Sequence, residues 1–329
     1  MNARFKGRSL VVKLFNLVIL IVAFIISGCS LQKLPQNSSM EPLAYTVTDS
    51  RGVKITFANN PNRIVSSAVF ADEILLDLVE HTRIVGISKW TRDPGLSSDT
   101  ESTKDVKNDV ELNTEGILKL NPDLVILPDS SKPEFIASLE DIGLKVYVYK
   151  SIAGLKEIPG FVREIAIAVN EKEKGEKLIF NMNNKLKKVE EKAKAEKNGR
   201  EKEKAILFLR FGAIGGEGTV YHDVIEAVGY IDSYNFVRKE AKPGASRILS
   251  KEEVILANPD IIILGEWSPT NDYKIGQEQL AEIYQDPAYK TLNAVKNKKA
   301  FIISQSLVNC LSHHAGDNVE KLYSIIHNK

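Results

Sequence analysis

The chain has 329 residues, with 44 basic against 43 acidic side chains, a formal charge of +1 and 43% hydrophobic residues. That balance sets aside nucleic-acid binding, which usually requires a basic excess. The hydrophobic content suffices for ordinary cores, in two lobes or one large domain.

Arg4, Lys6, Arg8 and Lys13 open the chain. An apolar run follows from Leu14 to Ile26, broken only by Asn16, and leads into Ser27-Gly28-Cys29. A basic region, an apolar core and small residues at a cut make a secretory signal. The small residues before a cysteine resemble the bacterial lipobox. That resemblance implies a signal peptide over residues 1–28, acylation of the Cys29 thiol, and Cys29 as the mature N-terminus. The other reading is an uncleaved membrane helix, since no charge falls between Lys13 and Lys33. Either places the remainder outside the cytoplasm. Cleavage removes four basic residues and no acid, leaving a charge of about −3. With Cys29 acylated, Cys310 has no disulfide partner and reads as a small buried hydrophobe.

Residues 29–43 are rich in Gln, Asn, Ser and Pro and read as a flexible tether. Tyr45 to Phe57 alternates around Asp49-Ser50-Arg51-Gly52, which predicts a hairpin. Short apolar runs then alternate with helical patterns. Strands are expected at Arg63–Val65, Arg83–Ile87, Asp123–Leu127 and Lys145–Tyr149, and helices at Ala71–Val79, Thr114–Leu120 and Pro133–Ile142. Such alternation predicts a parallel sheet. From Leu155 to Lys197 no strand signal occurs. Ile179, Met182, Leu186, Val189 and Ala193 form one apolar stripe on a long charged helix. The Lys/Glu-rich stretch from Lys185 to Lys204 reads as a solvated face. A second α/β half follows. Its strands are expected at Ala205–Leu209, Asp260–Leu264 and Ala300–Ser304, and its helices at His222–Val228, Lys251–Ala257, Gln277–Tyr284 and Asn318–Ile326. The expected organisation is an N-terminal lobe over 44–154, a long linking helix over 155–198 and a C-terminal lobe over 199–329.

The two halves share a phrase. Leu112-Asn113-Thr114-Glu115 through Asn121-Pro122-Asp123 to Leu127 aligns without a gap on Leu249-Ser250-Lys251-Glu252 through Asn258-Pro259-Asp260 to Leu264. Asn113 and Ser250 are N-cap residues, and Ser250 with Glu253 makes a capping box. The proline stops each helix, and a buried strand follows. A repeat of this kind fixes architecture.

This arrangement resembles the substrate-binding proteins of iron-siderophore, haem and cobalamin ABC importers, over about residues 45 to 327. The phrases that carry it are Arg63-Ile64-Val65-Ser66 with Glu73-Ile74-Leu75, Ile84-Val85-Gly86-Ile87, the two Asn-Pro-Asp segments, and Asn293-Ala294-Val295-Lys296-Asn297. The resemblance implies an α/β fold of two lobes, each with a central, mostly parallel sheet flanked by helices, joined by one long α-helix. It implies a small-molecule metal chelate as ligand, a ferric siderophore foremost, with haem or cobalamin also open. It implies a monomeric receptor for a permease homodimer or pseudo-dimer driven by a cytoplasmic ATPase. No resident cofactor is expected. It assigns Glu115 and Glu252 to docking on permease arginines. Their placement in a first helical turn has a second explanation in the helix dipole.

In open α/β sheets, ligands sit at the carboxyl ends of strands. Ser66 to Phe70, Trp90, Arg92, Asp129, Ser130, Arg210, Tyr221, Trp267, His313 and His314 all follow such ends. Trp90 and Trp267, the only two tryptophans, fall at matching loops and suit an aromatic wall, or else packing. Arg92 and Arg210 suit anionic groups, and Arg210, ending an apolar strand, is costly to bury unpaired. His313 and His314 either ligate a chelated metal or polarise a helix start, with Ser312 as cap. No tight metal-ligand spacing occurs, so no direct metal site is expected. The loop Phe211 to Gly218 lacks a phosphate-loop ending and suggests close backbone approach to a bulky ligand.

A secreted lipid-anchored enzyme and an adhesion protein are the competing classes. Gly-x-Ser-x-Gly and His-Glu-x-x-His are both missing from the sequence, which disfavours an enzyme. The expected place is the outer face of the cytoplasmic membrane. Ser30, in place of a retention aspartate, favours a single-membrane cell.

Overall fold

The computed structural model describes residues 44–197, 202–238, 247–270 and 272–327. The signal, Cys29 and the tether lie outside these residues. No helix among the described residues is long and apolar enough to cross a membrane.

Strands β1 (Tyr45–Thr48) and β2 (Lys54–Phe57) form the expected antiparallel hairpin. Its turn is organised by Asp49, whose carboxylate accepts from the Arg51 and Val53 amides at 2.9 and 3.0 Å.

The first sheet contains β3 (Ile64–Ser66), β4 (Ile84–Gly86), β5 (Leu124–Pro128) and β6 (Val146–Tyr149), in the order β4-β3-β5-β6, all parallel. Helices α1 (Val69–Leu78), α2 (Thr114–Lys119) and α3 (Pro133–Asp141) connect them. Successive residues of a strand point to opposite faces, and here both faces are covered. Leu124 and Ile126 pack with Ile74, Leu75 and Phe161, while Val125 and Leu127 pack with Ile117, Ile136 and Leu139.

The strandless middle, expected as one long helix over 155–198, is instead two, α4 (Ile158–Ala168) and α5 (Lys172–Lys197). Asn170, at φ 60°, breaks the chain between them. The stripe expected on α5 is buried at Ile179, Met182, Val189 and Ala193, and Leu186 is half-buried. It faces Val162 and Ala166 of α4 and Val319, Leu322 and Ile326 of the last helix, all in one apolar cluster.

The second sheet contains β7 (Lys204–Leu209), β8 (Gly212–Ile214), β9 (Ile231–Asp232), β10 (Ile261–Glu266) and β11 (Ala300–Ser304). The order β11-β10-β7 is parallel. The other edge of β7 takes β9, parallel, at its start and β8, antiparallel, at its end. The longer helices are α6 (Val220–Ala227), α7 (Lys251–Ala257), α8 (Lys274–Gln285) and α9 (Ala315–His327), with single turns at Tyr234–Val237 and Asn293–Lys296.

The repeated phrase is a repeated structure. Asn113 Oδ1 accepts from the Gly116 amide at 2.7 Å, and Ser250 and Glu253 form the reciprocal capping box. Asn121 and Asn258 both adopt left-handed backbone, at φ 46° and 41°, which asparagine tolerates better than most residues. Each following aspartate fixes the start of the neighbouring strand. Asp123 accepts from the Arg63 amide at 2.9 Å, and Asp260 from the Lys204 amide at 2.9 Å. The same two basic residues turn back onto the ends of α2 and α7. Arg63 donates to the Leu120 and Asn121 carbonyls and Lys204 to Ala257, where the helix dipole favours a cation.

Candidate functional site

Strands β3 and β4 lead into α1 and into the turn Lys89–Arg92, and two acids of α1 hold the surrounding loops. Asp72 and Glu73 are both fully buried. Asp72 Oδ2 accepts from the Ser88 amide at 2.8 Å and from Thr91 Oγ1 at 2.6 Å, which ties the turn to the helix. Burial pushes its carboxyl up to about 7, against the pull of these donors. Glu73 reaches the second half of the chain. Its Oε1 accepts from Ser97 Oγ at 2.9 Å and the Ser98 amide at 2.6 Å, and its Oε2 from Ser312 Oγ at 2.5 Å. Cys310 lies against the same group, 3.3 Å from Ser312 Oγ, and burial followed by the Glu73 charge pushes its thiol up to about 12. Asn318 completes this buried seam, donating to Ser98 Oγ at 2.8 Å and to the Ser306 carbonyl at 2.9 Å.

The two tryptophans meet. Trp90, from the first half, and Trp267, from the second, stand edge to face with ring centroids 5.9 Å apart. They are 44% and 45% exposed, so the contact is a lip at the surface. Trp267 Nε1 donates to Asp93 Oδ2 at 2.9 Å. Gly95 permits the approach, because a Cβ there would stand 2.4 Å from Trp267 Cδ1 and 2.9 Å from the Ser268 amide nitrogen. Arg210 follows β7 and Trp267 follows β10. These strands are parallel neighbours in register Leu264↔Phe208, so both residues leave the same, carboxyl end of the sheet. Arg210 is exposed and has no hydrogen-bond or ion-pair partner among the described residues.

Other residues expected at the cleft are engaged within the chain's own fold or stand exposed. Arg92 donates to Asp109 Oδ1 at 2.7 Å and to the Thr103 and Val106 carbonyls at 2.6 Å each, so its guanidinium holds its own loop. Tyr221 is half-buried on α6 against the core, and burial raises its hydroxyl pKa. Asp129 accepts from Ser151 Oγ at 2.5 Å and its amide at 3.1 Å, and Ser130 is exposed. The Gly-rich loop turns inward. Gly216, at φ +110°, donates its amide to Asp232 Oδ2 at 2.9 Å, and a Cβ there would meet the Tyr234 ring at 2.9 Å. The close backbone approach is real, but its object is the chain's own Asp232 and Tyr234.

His313 and His314 gather with Asp77 of α1. His313 Nε2 lies 2.6 Å from Asp77 Oδ2, and the two imidazoles lie 4.1 Å apart. His313 holds the Asp77 carboxyl below the usual range, while burial and then His313 lower His314. Ser312 Oγ accepts from the His314 amide at 3.3 Å, so the capping role read for it is present beside its bond to Glu73. Glu115 and Glu252 occupy the second position of α2 and α7, and both are exposed. Glu115 pairs with Lys119 at 3.0 Å on the surface. A cavity of about 810 Å³ lies away from the tryptophans, beside α5 and α6, lined by Leu186, Glu190, Glu217, His222 and Asp223 among others.

Sequence reasoning misses Asp72, Glu73, Asp77 and Asp93 as site residues. For the first two a signal is present. Adjacent acids inside the run Ala71 to Leu78, where every other residue but Asp77 is apolar, must be buried with partners.

The chain matches the periplasmic binding protein family over residues 64–307. It belongs to that family. It is 24% identical over 327 residues to an uncharacterised ABC transporter substrate-binding lipoprotein, YvrC, of Bacillus subtilis, covering 94% of this chain and 95% of that one. Among solved structures it is similar to a possible iron-binding periplasmic solute-binding protein of Staphylococcus epidermidis. That match has TM-score 0.67 and 21% identity, and covers 82% of this chain and 100% of the other. It is also similar to the periplasmic heme-binding protein RhuT of Roseiflexus, with TM-score 0.64 and 22% identity, covering 81% and 98% of the two chains. These likenesses establish the two-lobed α/β fold. The chain is a substrate-binding protein of the ABC-importer class and not an enzyme. Proteins of this class bind small molecules and work with a permease and an ATPase.

Proposed function

We propose that this chain captures a metal chelate, a ferric siderophore foremost and otherwise haem or cobalamin, between the lobes and delivers it to a membrane permease. The observation that carries the reading is the tryptophan lip. The only two tryptophans come from different halves, stand edge to face and remain nearly half exposed. Two rings of this size on a surface are an aromatic wall in search of an apolar, flat partner. Arg210, unpartnered among the described residues at the same end of the sheet, supplies positive charge for catecholate, hydroxamate or propionate oxygens. A small separation of the lobes about α5 opens the wall to the ligand. The binding screen is direct. The purified chain is mixed with ferric catecholate and hydroxamate siderophores, haem and cobalamin, and passed through gel filtration. Co-elution of colour with one class is expected; co-elution of none overturns the reading.

Docking falls to Glu115 and Glu252. Their equivalent positions suit a two-fold symmetric permease. Large apolar side chains stay exposed beside them, Leu112 and Leu118 near Glu115 and Leu256 near Glu252. Charge reversal of both, Glu115→Lys with Glu252→Lys, should abolish uptake while leaving ligand affinity intact. Unchanged uptake removes the docking role. A lipid on Cys29 and the tether to residue 43 hold this receptor on the outer face of the cytoplasmic membrane, raising its concentration near the permease. Radiolabelled palmitate incorporation, lost in Cys29→Ala, tests that anchor.

A further inference from the structure

Asp77 lies one residue before the end of α1, about 12 Å along the axis from Val69 at 1.5 Å per residue. His313 and His314 directly precede α9. The chain thus brings one carboxylate of the first half to two imidazoles of the second. One ligand atom from each residue lies within 4.8 Å of the other two. His313 Nε2 is 2.6 Å and His314 Nε2 3.7 Å from Asp77 Oδ2. The rings are sheltered, with side-chain exposures of 8% and 17%, while Asp77 at 38% keeps one side open to solvent. Two ring nitrogens, His313 Nδ1 and His314 Nε2, are buried with no hydrogen-bond partner among the described residues. Buried polar atoms are otherwise almost always satisfied, so His314 Nε2, which faces Asp77 at 3.7 Å, asks for a ligand there, whereas His313 meets Asp77 through Nε2 and its orphaned Nδ1 is the other ring nitrogen.

We propose that Asp77, His313 and His314 bind a divalent transition-metal ion, zinc foremost, separately from the chelate carried at the tryptophan lip. Two imidazoles and a carboxylate suit Zn(II), Cu(II) or Ni(II), whereas calcium and magnesium want an oxygen shell. Three protein ligands leave a fourth position for water at the exposed side. Bonds of about 2.0–2.1 Å to a tetrahedral ion set its ligand atoms roughly 3.3 Å apart. The 3.7 Å separation is already close to that value. The 2.6 Å pair must open by less than about 1 Å, the ion taking the place of the proton the two groups share. Glu73 and Asp99 add negative charge near His314. Because its ligands come from both halves, the ion clamps α1 to the segment before α9, beside the Glu73 seam.

The test uses the untagged full chain, stripped with a chelator and dialysed. Zinc binding is measured by competition with a chromogenic chelator, and one equivalent of Cu(II) is examined by electron paramagnetic resonance. One tight zinc equivalent is expected, with a copper spectrum showing coupling to two nitrogens. His313→Gln and His314→Gln should each remove one nitrogen and weaken zinc at least about tenfold, the lower end of what even an outer-shell partner costs. Asp77→Asn, at an exposed position, should weaken zinc while keeping both nitrogens, and it serves should a histidine variant fail to fold. Absence of nitrogen coupling in the parent chain overturns the site. So does zinc affinity unchanged by Asp77→Asn.

Discussion

Glu73 and Trp90 both reach from the first half of the chain towards the second, by opposite means. Glu73 is fully buried and accepts from Ser97, Ser98 and, across the halves, Ser312, with the Cys310 thiol 4.0 Å from the same oxygen as Ser312. Trp90 is 44% exposed and meets Trp267 through one edge-to-face ring contact. The seam has a high cost of opening, because a buried carboxylate without its donors loses several kcal/mol. The lip has a lower one, since an aromatic pair adds about 0.5–1.5 kcal/mol beyond its buried area and the Trp267–Asp93 hydrogen bond beside it is solvent-exposed and adds about 0.5–1.5 kcal/mol. The halves are therefore expected to pivot at the seam and part at the lip.

The largest way to break this contrast is Glu73→Ala. It removes the acceptor of the Ser97 and Ser312 hydroxyls and of the Ser98 amide, and stability should fall by about 3–5 kcal/mol in urea unfolding. A loss below about 1 kcal/mol would mean that the seam does not hold the halves.

Next comes pH. The Asp72 carboxyl is raised from 3.8 to about 7 in the folded chain. A raised folded pKa means the native state keeps a proton that the unfolded state releases. Stability is then fully present below about pH 4 and falls as pH rises through about 7, by up to about 4 kcal/mol. Asp72→Asn removes this dependence, so its stability relative to the parent should improve as pH rises from about 4 to about 8. Urea midpoints at three pH values measure it, and parallel curves would show that Asp72 is ionised throughout.

Gly95→Ala sharpens the contrast at the lip. Its Cβ collides with Trp267 and with the Ser268 backbone, so the tryptophans must separate. A cost of about 1–3 kcal/mol and an altered tryptophan emission are expected. The smallest effect is Trp90→Ala, at about 1 kcal/mol or less in stability, with chelate affinity falling at least about tenfold. Equal losses in stability from Trp90→Ala and Glu73→Ala would erase the distinction between seam and lip.

The parts of this fold legible in sequence were those written in local patterns. The alternation of strands and helices, the α5 stripe and the repeated cap-helix-turn-strand unit all depend on neighbours a few residues apart, and each lies where the pattern placed it. The repeat also held a role that local reasoning missed: Asp123 and Asp260 fix strands that begin far away in the chain, at Arg63 and Lys204. The candidate site was legible only as positions. Trp90 and Trp267 could be paired because both follow strand ends, but Arg92 follows one too and spends its guanidinium on two carbonyls and Asp109. Asp77 and His313 are brought within 2.6 Å by tertiary packing alone. No spacing rule connects a residue at the end of the first helix with one before the last. Glycine in the loop from Phe211 to Gly218 reported a close approach, but to the chain's own Asp232 and Tyr234 rather than to the bulky ligand read from the sequence.

The most direct measurement is intrinsic fluorescence, because the only two tryptophans stand at the lip. The purified chain is titrated with ferric catecholate and hydroxamate siderophores, haem and cobalamin. The account predicts saturable quenching by one of these classes, with affinity reduced at least about tenfold in Trp267→Ala. Quenching by none of them, or an affinity unchanged in Trp267→Ala, would contradict a chelate held between the two tryptophans.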